Sequence, residues 1–331
     1  MPAIHWREHA AASNAAGCGA NAAFVTFVSG DRYVPGAVCL RRSIAGAGNR
    51  CPMDVVYDDR LPERNLSADS FALLANTFGT ERVFSLARIM ADHPTSIADM
   101  HYSAPSARVG RRGRGLFETR RLFERGPEHM ATHAKLWLWG LPRSRSVVLD
   151  SDMVVRGALD WLLTFDLDEH EVAAAGAVRK GALSFFNSGL MIIRPGAALL
   201  HNLTRVAMMA RSGTVLDSRG DARTPANVGE KIFGDQSLLN LYFGPRWKSL
   251  PTATVVAASN RVNINAESLM ASDPAVIHFL SEPKPWSRAA LRIDAVSRQP
   301  LATAPSSAHA KLWWQLCGDK LGDLPVKALG R

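Results

Sequence analysis

The stretch VVLDSDMVV, Val147 to Val155, decides the fold and raises the first chemical question. Its apolar run reads as a buried β-strand, yet Asp150 and Asp152 sit inside it. An unpaired carboxylate in such surroundings is either heavily destabilising or neutralised, so the run predicts a cation beside the pair. Successive side chains alternate across a strand, so residues two apart point the same way and both carboxylates can approach one point. Hard oxygen ligands of this kind suit Mg²⁺ or Mn²⁺, ions that bridge the oxygens of a diphosphate. A D-x-D triplet is also a common turn after a strand, and the triplet alone leaves both readings open.

Outward from this run, apolar strands alternate with helical patterns. AAFVTFVSG (Ala22 to Gly30) predicts a strand, GAVCLRRSIAGAG a helix, CPMDVVYDD a strand, FALLANTF a helix and RVFSLARI a third strand. HMATHAKLWLWGL predicts a helix stopped by Pro142 that leads into the aspartate strand. VAAAGAV and SFFNSGLMIIRP predict further strands, AALLHNLTRVAMMARSG a helix, and ARTPANVGEKIFG a loop. GDQSLLNLYF starts a helix with Asp235 in its first turn, where an acid is favoured, and AVIHFL is the last strand. The alternation implies an α/β fold, a mostly parallel sheet covered by helices on both faces. Without an internal repeat or linker, one domain over residues 21–300 is expected, with an extension over 1–20 and a helical tail over 301–331 packed on the domain.

The 331 residues, 47% of them hydrophobic, can bury a sizeable core, which excludes disorder of the whole chain. Cys18, Cys39, Cys51 and Cys317 have no metal-site or regular spacing, so the expectation is four reduced thiols in a cytoplasmic protein. The amino terminus carries His, Arg and Glu where a secretory signal needs an apolar core, and no run reaches membrane-span length. A net charge of +9 favours anionic partners. It concentrates in ARVGRRGRGLFETRRLFERG, where Arg108 to Arg125 include seven arginines. That stretch is either a solvated face or a binding surface for an acidic acceptor or an anionic membrane. Bases would need aromatic stacking platforms, which the stretch lacks, so nucleic acid is not expected.

Five blocks in order carry a family resemblance: AFVTFVSGDRYVPGAVCLRRSI, KLWLWGLPRSRSVVLDSDMVV, FFNSGLMIIRP, GDQSLLNLYF and VIHFLSEPKPWS. Over about Ala22 to Ser287 the chain resembles the glycogenin-like glycosyltransferase family eight. That resemblance implies a single Rossmann-like GT-A domain, a UDP-sugar donor, a manganese ion and transfer with retention of anomeric configuration. It assigns the metal to Asp150, Asp152 and His278. A neutral imidazole beside two carboxylates favours Mn²⁺, with Mg²⁺ the alternative.

The same resemblance gives the donor site. Phe27, Ser29 and Tyr33 match positions that hold uracil and ribose, Lys135 and Ser151 match donor-side positions, and Lys284 and Ser281 match positions near the diphosphate. Asn187 and Ser188, with Asp235 and Gln236, match residues around the transferred hexose. Asp235, Gln236 and Lys284 are the candidates to assist the reaction, and no carboxylate stands out as a nucleophile.

Two departures from the family pattern bear on substrates. Arg179 and Lys180 stand where glycogenin-like sequences have an aspartate, which points to a UDP-uronic acid or a substituted hexose as donor, through pairing of a cation with a carboxylate. No tyrosine lies between Phe243 and His278, where self-glucosylating members carry their acceptor, so the expected acceptor is a separate saccharide, glycolipid, polyol or protein. Besides such an enzyme, the sequence admits a catalytically weak UDP-sugar-binding member, given Arg179, Gly30 and Ser281, or a basic nucleic-acid-binding protein.

Overall fold

The computed structural model describes residues 6–13, 17–60, 64–93, 134–179, 182–210, 215–216, 222–223, 234–244, 246–251, 253–258, 272–280, 284–287 and 308–317. Its strands are β1 (Ala22–Val28), β2 (Met53–Tyr57), β3 (Val83–Ser85), β4 (Arg145–Asp150), β5 (Met153–Val155), β6 (Val172–Arg179), β7 (Ala182–Ile193), β8 (Val215–Leu216), β9 (Ala222–Arg223), β10 (Lys248–Ser249), β11 (Val255–Ala258) and β12 (Val276–Phe279). Its α-helices are α1 (Trp6–Ser13), α2 (Val34–Gly46), α3 (Ala68–Phe78), α4 (Leu86–Asp92), α5 (Ala197–Ala210), α6 (Gly234–Phe243) and α7 (Ala308–Cys317).

Seven strands form the main sheet in the order β10-β6-β7-β4-β1-β2-β3. Neighbours run parallel except where β7 inserts antiparallel between β4 and β6. One face, with Phe24, Val55, Val147 and Leu149, packs against α2, α3 and the second sheet. The other face, with Val25, Val56 and Val148, packs against α4, α5, α6 and a 3-10 helix over Ala134–Gly140. β1 and β4 are apolar nearly throughout because both of their faces are covered. The mostly parallel α/β architecture expected from the sequence is the observed one.

Several local expectations are corrected. RVFSLARI is only half a strand: β3 ends at Ser85, whose side chain accepts from the Arg88 amide and caps α4. Asp59 reinforces that switch by accepting from the Ala87 amide and the Ser85 hydroxyl. The described part of HMATHAKLWLWGL is a 3-10 helix and not an α-helix. The strand run around the aspartates is two strands: β4 stops at Asp150, Ser151 and Asp152 make a turn, and β5 belongs to a separate three-stranded sheet, β11-β12-β5. AVIHFL supplies β12 of that small sheet, parallel to β11 and antiparallel to β5.

The four cysteines are not reduced thiols. Cys18 pairs with Cys51 and Cys39 with Cys317, leaving no free cysteine. The partners lie 33 and 278 residues apart and only the fold brings their Cα atoms to 5.3 and 5.7 Å, so spacing carried no signal. Among the described residues no helix is long and apolar enough to cross a membrane.

Candidate active site

The carboxyl ends of β1 and β4 open the site, as in other open α/β sheets. Phe27 on β1 pairs in register with Asp150 on β4. Asp152 reaches the same place through the turn, so the two carboxylates do approach one point, but by a turn and not by alternation along a strand. β12 delivers the third group: His278 pairs with Met153 in register, and the Phe279 amide donates to the Asp152 carbonyl at 2.9 Å. One ligand atom each from Asp150, Asp152 and His278 lies within 4.8 Å of the others.

A glycine makes room for this convergence. A Cβ on Gly189 of β7 would lie 2.3 Å from His278 Cε1 and 2.7 Å from Asn187 Oδ1, so glycine lets the imidazole approach β7 this closely. On the other side, a Cβ on Gly36 of α2 would lie 2.4 Å from the Ser151 carbonyl, which fixes how closely the D-S-D turn packs on that helix. Ser151 is buried there.

Two lysines answer the question posed by the buried aspartates. Lys135, from the 3-10 helix, places Nζ 2.5 Å from Asp150 Oδ1 and 3.4 Å from Asp235 Oδ2. Lys284 donates to Asp152 Oδ2 at 2.7 Å and to the Phe279 carbonyl at 3.2 Å. Burial disfavours the Lys135 charge, but Asp150 and Asp235 outweigh it and hold the ammonium well above its ordinary pKa. Burial likewise raises Asp152, yet His278 and Lys284 prevail and hold it well below the carboxylate range. For Asp150 burial wins, helped by the neighbouring Asp152 charge, and its pKa is raised. The two aspartates therefore differ, Asp152 being held as the firmer anion.

The residues present fit a divalent cation. His278 Nε2 stands 3.0 Å from Asp152 Oδ1 and 3.6 Å from Asp150 Oδ2. The short contact lacks hydrogen-bond geometry, and Asp152 Oδ1 is a buried oxygen without a hydrogen bond. A buried acceptor left in this state beside a second carboxylate and an imidazole is a donor set for a metal.

Next to the acids lies an amide cluster. Asn187 Nδ2 donates to Gln236 Oε1 at 3.0 Å, and the Ser188 amide donates to the same oxygen at 3.3 Å. Asp235 and Gln236 open α6, with Asp235 buried in its first turn. Sequence reasoning missed the residue that seats this helix. Asn240 Oδ1 accepts from the Phe186 amide at 2.8 Å, while its Nδ2 donates to the Phe186 and Gln236 carbonyls at 2.9 and 2.8 Å. An asparagine four residues after Gln236 was the available signal, because it lies on the same face of a helix.

At the donor end, Ser29 follows β1 half-buried, and Tyr33 ends the 3-10 turn Asp31–Tyr33. The Arg32 guanidinium lies 4.7 Å from the Tyr33 ring centroid and donates to its hydroxyl at 3.0 Å. Ser281, Lys180 and the whole of Arg108 to Arg125 fall outside the described residues. Of Arg179 the backbone is described: it ends β6, opposite Ala182.

With this geometry in view, comparison with known proteins is decisive at the family level. The model of glycosyl transferase family 8 matches residues 25–290. The chain belongs to glycosyl transferase family 8. Among curated relatives, glycosyltransferase GlyF of Streptococcus pneumoniae is 26% identical over 175 residues, 51% of this chain and 37% of GlyF. Glycogenin of Komagataella phaffii is 23% identical over 310 residues, 88% of this chain and 63% of that protein. The match thus spans less than two thirds of either relative's length. Among solved structures, an active-site mutant of LgtC aligns with a TM-score of 0.52 at 15% identity, covering 89% of this chain and 95% of that one. GlyE of Streptococcus pneumoniae aligns with a TM-score of 0.51 at 14% identity, covering 93% of this chain and 62% of that one. These likenesses establish the GT-A fold of this family member.

Proposed function

We propose that the protein is a metal-dependent retaining glycosyltransferase that moves a hexose from a UDP-sugar to a separate acceptor. The observation that carries this reading is the convergence of Asp150, Asp152 and His278 beside Lys284 and the Asn187–Gln236 pair. Mn²⁺ suits the imidazole-containing set better than Mg²⁺. When bound, such an ion neutralises diphosphate charge and favours departure of the nucleotide.

The chain's own residues supply the rest. Asp150 and Asp152 provide the anionic cradle, and His278 presents an imidazole nitrogen to it. Lys284 turns from Asp152 to the diphosphate and offsets charge that develops there. Phe27, Ser29 and Tyr33 receive the uridine, and Lys135 and Ser151 line the path to the diphosphate. Asn187, Ser188, Asp235 and Gln236 orient the hexose, since its hydroxyls need both donors and acceptors. Gln236 and Asp235 lie on the hexose side and steady it during front-face departure and attack.

The missing tyrosine between Phe243 and His278 supports a separate acceptor. Arg179 supports a donor bearing a carboxylate, and Arg108 to Arg125 support an acidic acceptor or an anionic membrane surface, with no nucleic acid. Two disulfides sit poorly with the cytoplasmic location expected from sequence, because such bonds persist in oxidising surroundings.

A panel of UDP-sugars in a UDP-release assay, with and without chelator, tests the reading. Chelator-sensitive release with a preference for a uronic or substituted donor supports it fully. A preference for plain UDP-glucose or UDP-galactose removes the Arg179 argument, and no release from any donor removes the enzyme reading. Intact mass after incubation with donor and Mn²⁺ tests the acceptor: a ladder of added hexoses on the protein contradicts a separate one.

A further inference from the structure

The segment that carries Lys284, residues 284–287, is met from outside the family match by a helix. α7 begins at residue 308, whereas the match ends at residue 290. The Trp314 indole nitrogen donates to the Pro285 carbonyl at 2.9 Å, one residue after Lys284. The Trp313 ring packs on Trp286 with centroids 5.2 Å apart, and both side chains are fully buried. Trp286 in turn donates to the Arg32 carbonyl at 2.7 Å, in the turn that carries Tyr33. A Cβ on Gly36 would lie 2.6 Å from Trp286 Cη2, so α2 is shaped to accept that ring. The last residue of α7, Cys317, is bonded to Cys39 on the same α2.

We infer that α7, anchored to α2 by the Cys39–Cys317 disulfide, positions Lys284 through Trp313, Trp314 and Trp286. The chain of contact is continuous: Cys39 to Cys317, α7 to the Pro285–Trp286 pair, Lys284 to Asp152. It ties the residue that meets the diphosphate to the turn that meets the base, so both halves of the nucleotide site share one support. The covalent anchor removes freedom that a ten-residue helix would otherwise have. The second disulfide is an internal control. Cys18 and Cys51 precede β1 and β2, at the opposite end of the strands from Asp150. Breaking it should cost stability without touching Lys284.

This inference rests on the nucleotide-sugar reading for its consequence, but not for its geometry, and the test separates the two. Hydrogen exchange of the 279–287 segment and UDP affinity in the presence of Mn²⁺ are measured for four proteins: wild type, Trp314→Phe, Cys39→Ser/Cys317→Ser and Cys18→Ser/Cys51→Ser. The first two variants should exchange faster in that segment and bind UDP roughly five- to tenfold more weakly, the scale of one lost hydrogen bond. The Cys18→Ser/Cys51→Ser variant should match wild type in both readouts despite lower thermal stability. Trp314→Phe keeps an aromatic ring there while removing the donor, and carries the test if the Cys39→Ser/Cys317→Ser protein does not fold. Wild-type exchange and affinity in Trp314→Phe would overturn the inference. If wild type binds no UDP, the nucleotide-sugar reading fails while the exchange data still decide whether α7 holds the segment.

Discussion

Two groups of carboxylates lie at β2 and β4 of the main sheet, with β1 between them, and their partners differ. Near the amino end of β2, Asp54 is wholly buried and receives a fork from Arg143, at 2.7 and 3.0 Å, and a third bond from Arg82 at 3.1 Å. Near its carboxyl end, Asp58 is held the same way by Arg60, with two bonds of 2.8 Å, and by Arg64 at 3.2 Å. In both, each carboxylate oxygen faces a guanidinium. At Asp150 and Asp152 the partners are lysines and a histidine, and Asp152 Oδ1 has no hydrogen bond. Arginine forks match carboxylates in shape and stay charged, so they fix a structure. An ammonium is a point charge on a flexible stem and can leave when a better cation arrives. Burial of acids is common to both groups; exchangeable partners are what mark the site.

The sharpest way to break this comparison is Asp152→Asn, which keeps volume and removes charge from the exchangeable group. Mn²⁺-dependent release of UDP should fall by at least about 100-fold, more than is typical for residues that only support a metal ligand. The circular dichroism spectrum should be unchanged. Its counterpart, Asp54→Asn, should do the reverse. It strands two arginines and should lower unfolding stability by roughly 3 kcal/mol, the low end for a buried pair because both arginines reach solvent. The folded fraction should keep its Mn²⁺ affinity.

A smaller effect sharpens the idea of exchange. Lys284→Met removes the ammonium that occupies Asp152, so Mn²⁺ should bind several-fold more tightly without nucleotide, while UDP-sugar turnover falls. Weaker Mn²⁺ binding in that variant would mean that Lys284 builds the cradle instead of occupying it. Smallest in scope is Asn240→Ala, which leaves the Phe186 amide and carbonyl without their side-chain partner. A loss of about 1–3 kcal/mol in stability is expected, with a lower turnover number because Gln236 loses its seat. Thermal unfolding and steady-state kinetics check the two parts.

Much of the frame was legible because strand burial writes itself into composition: β1, β4 and β7 are apolar runs between turn residues. Five ordered blocks named the candidate site residues, and of these Asp150, Asp152 and His278 come together in the fold, as do Asn187 and Gln236. What stayed hidden depends on distance in sequence. Nothing local shows that β5 leaves the main sheet to pair with β12, more than 120 residues later, because VLDSDMVV reads as one strand until a partner pulls its second half away. Leu86 to Ile89 looked like strand until Ser85 capped a helix, a case of side-chain hydrogen bonding overriding apolar content. Cys39 and Cys317 meet only once α7 has folded back on α2. The lysines were named as donor contacts, but their grip on the acids follows from a geometry that no spacing encodes.

The most direct test is a titration of Mn²⁺ against the wild-type protein, Asp152→Asn, His278→Ala and Asp54→Asn, followed by the paramagnetic resonance of the free ion. The account predicts one bound ion per wild-type chain, retained in Asp54→Asn and lost in the other two. Stoichiometric binding that survives Asp152→Asn and His278→Ala would contradict it.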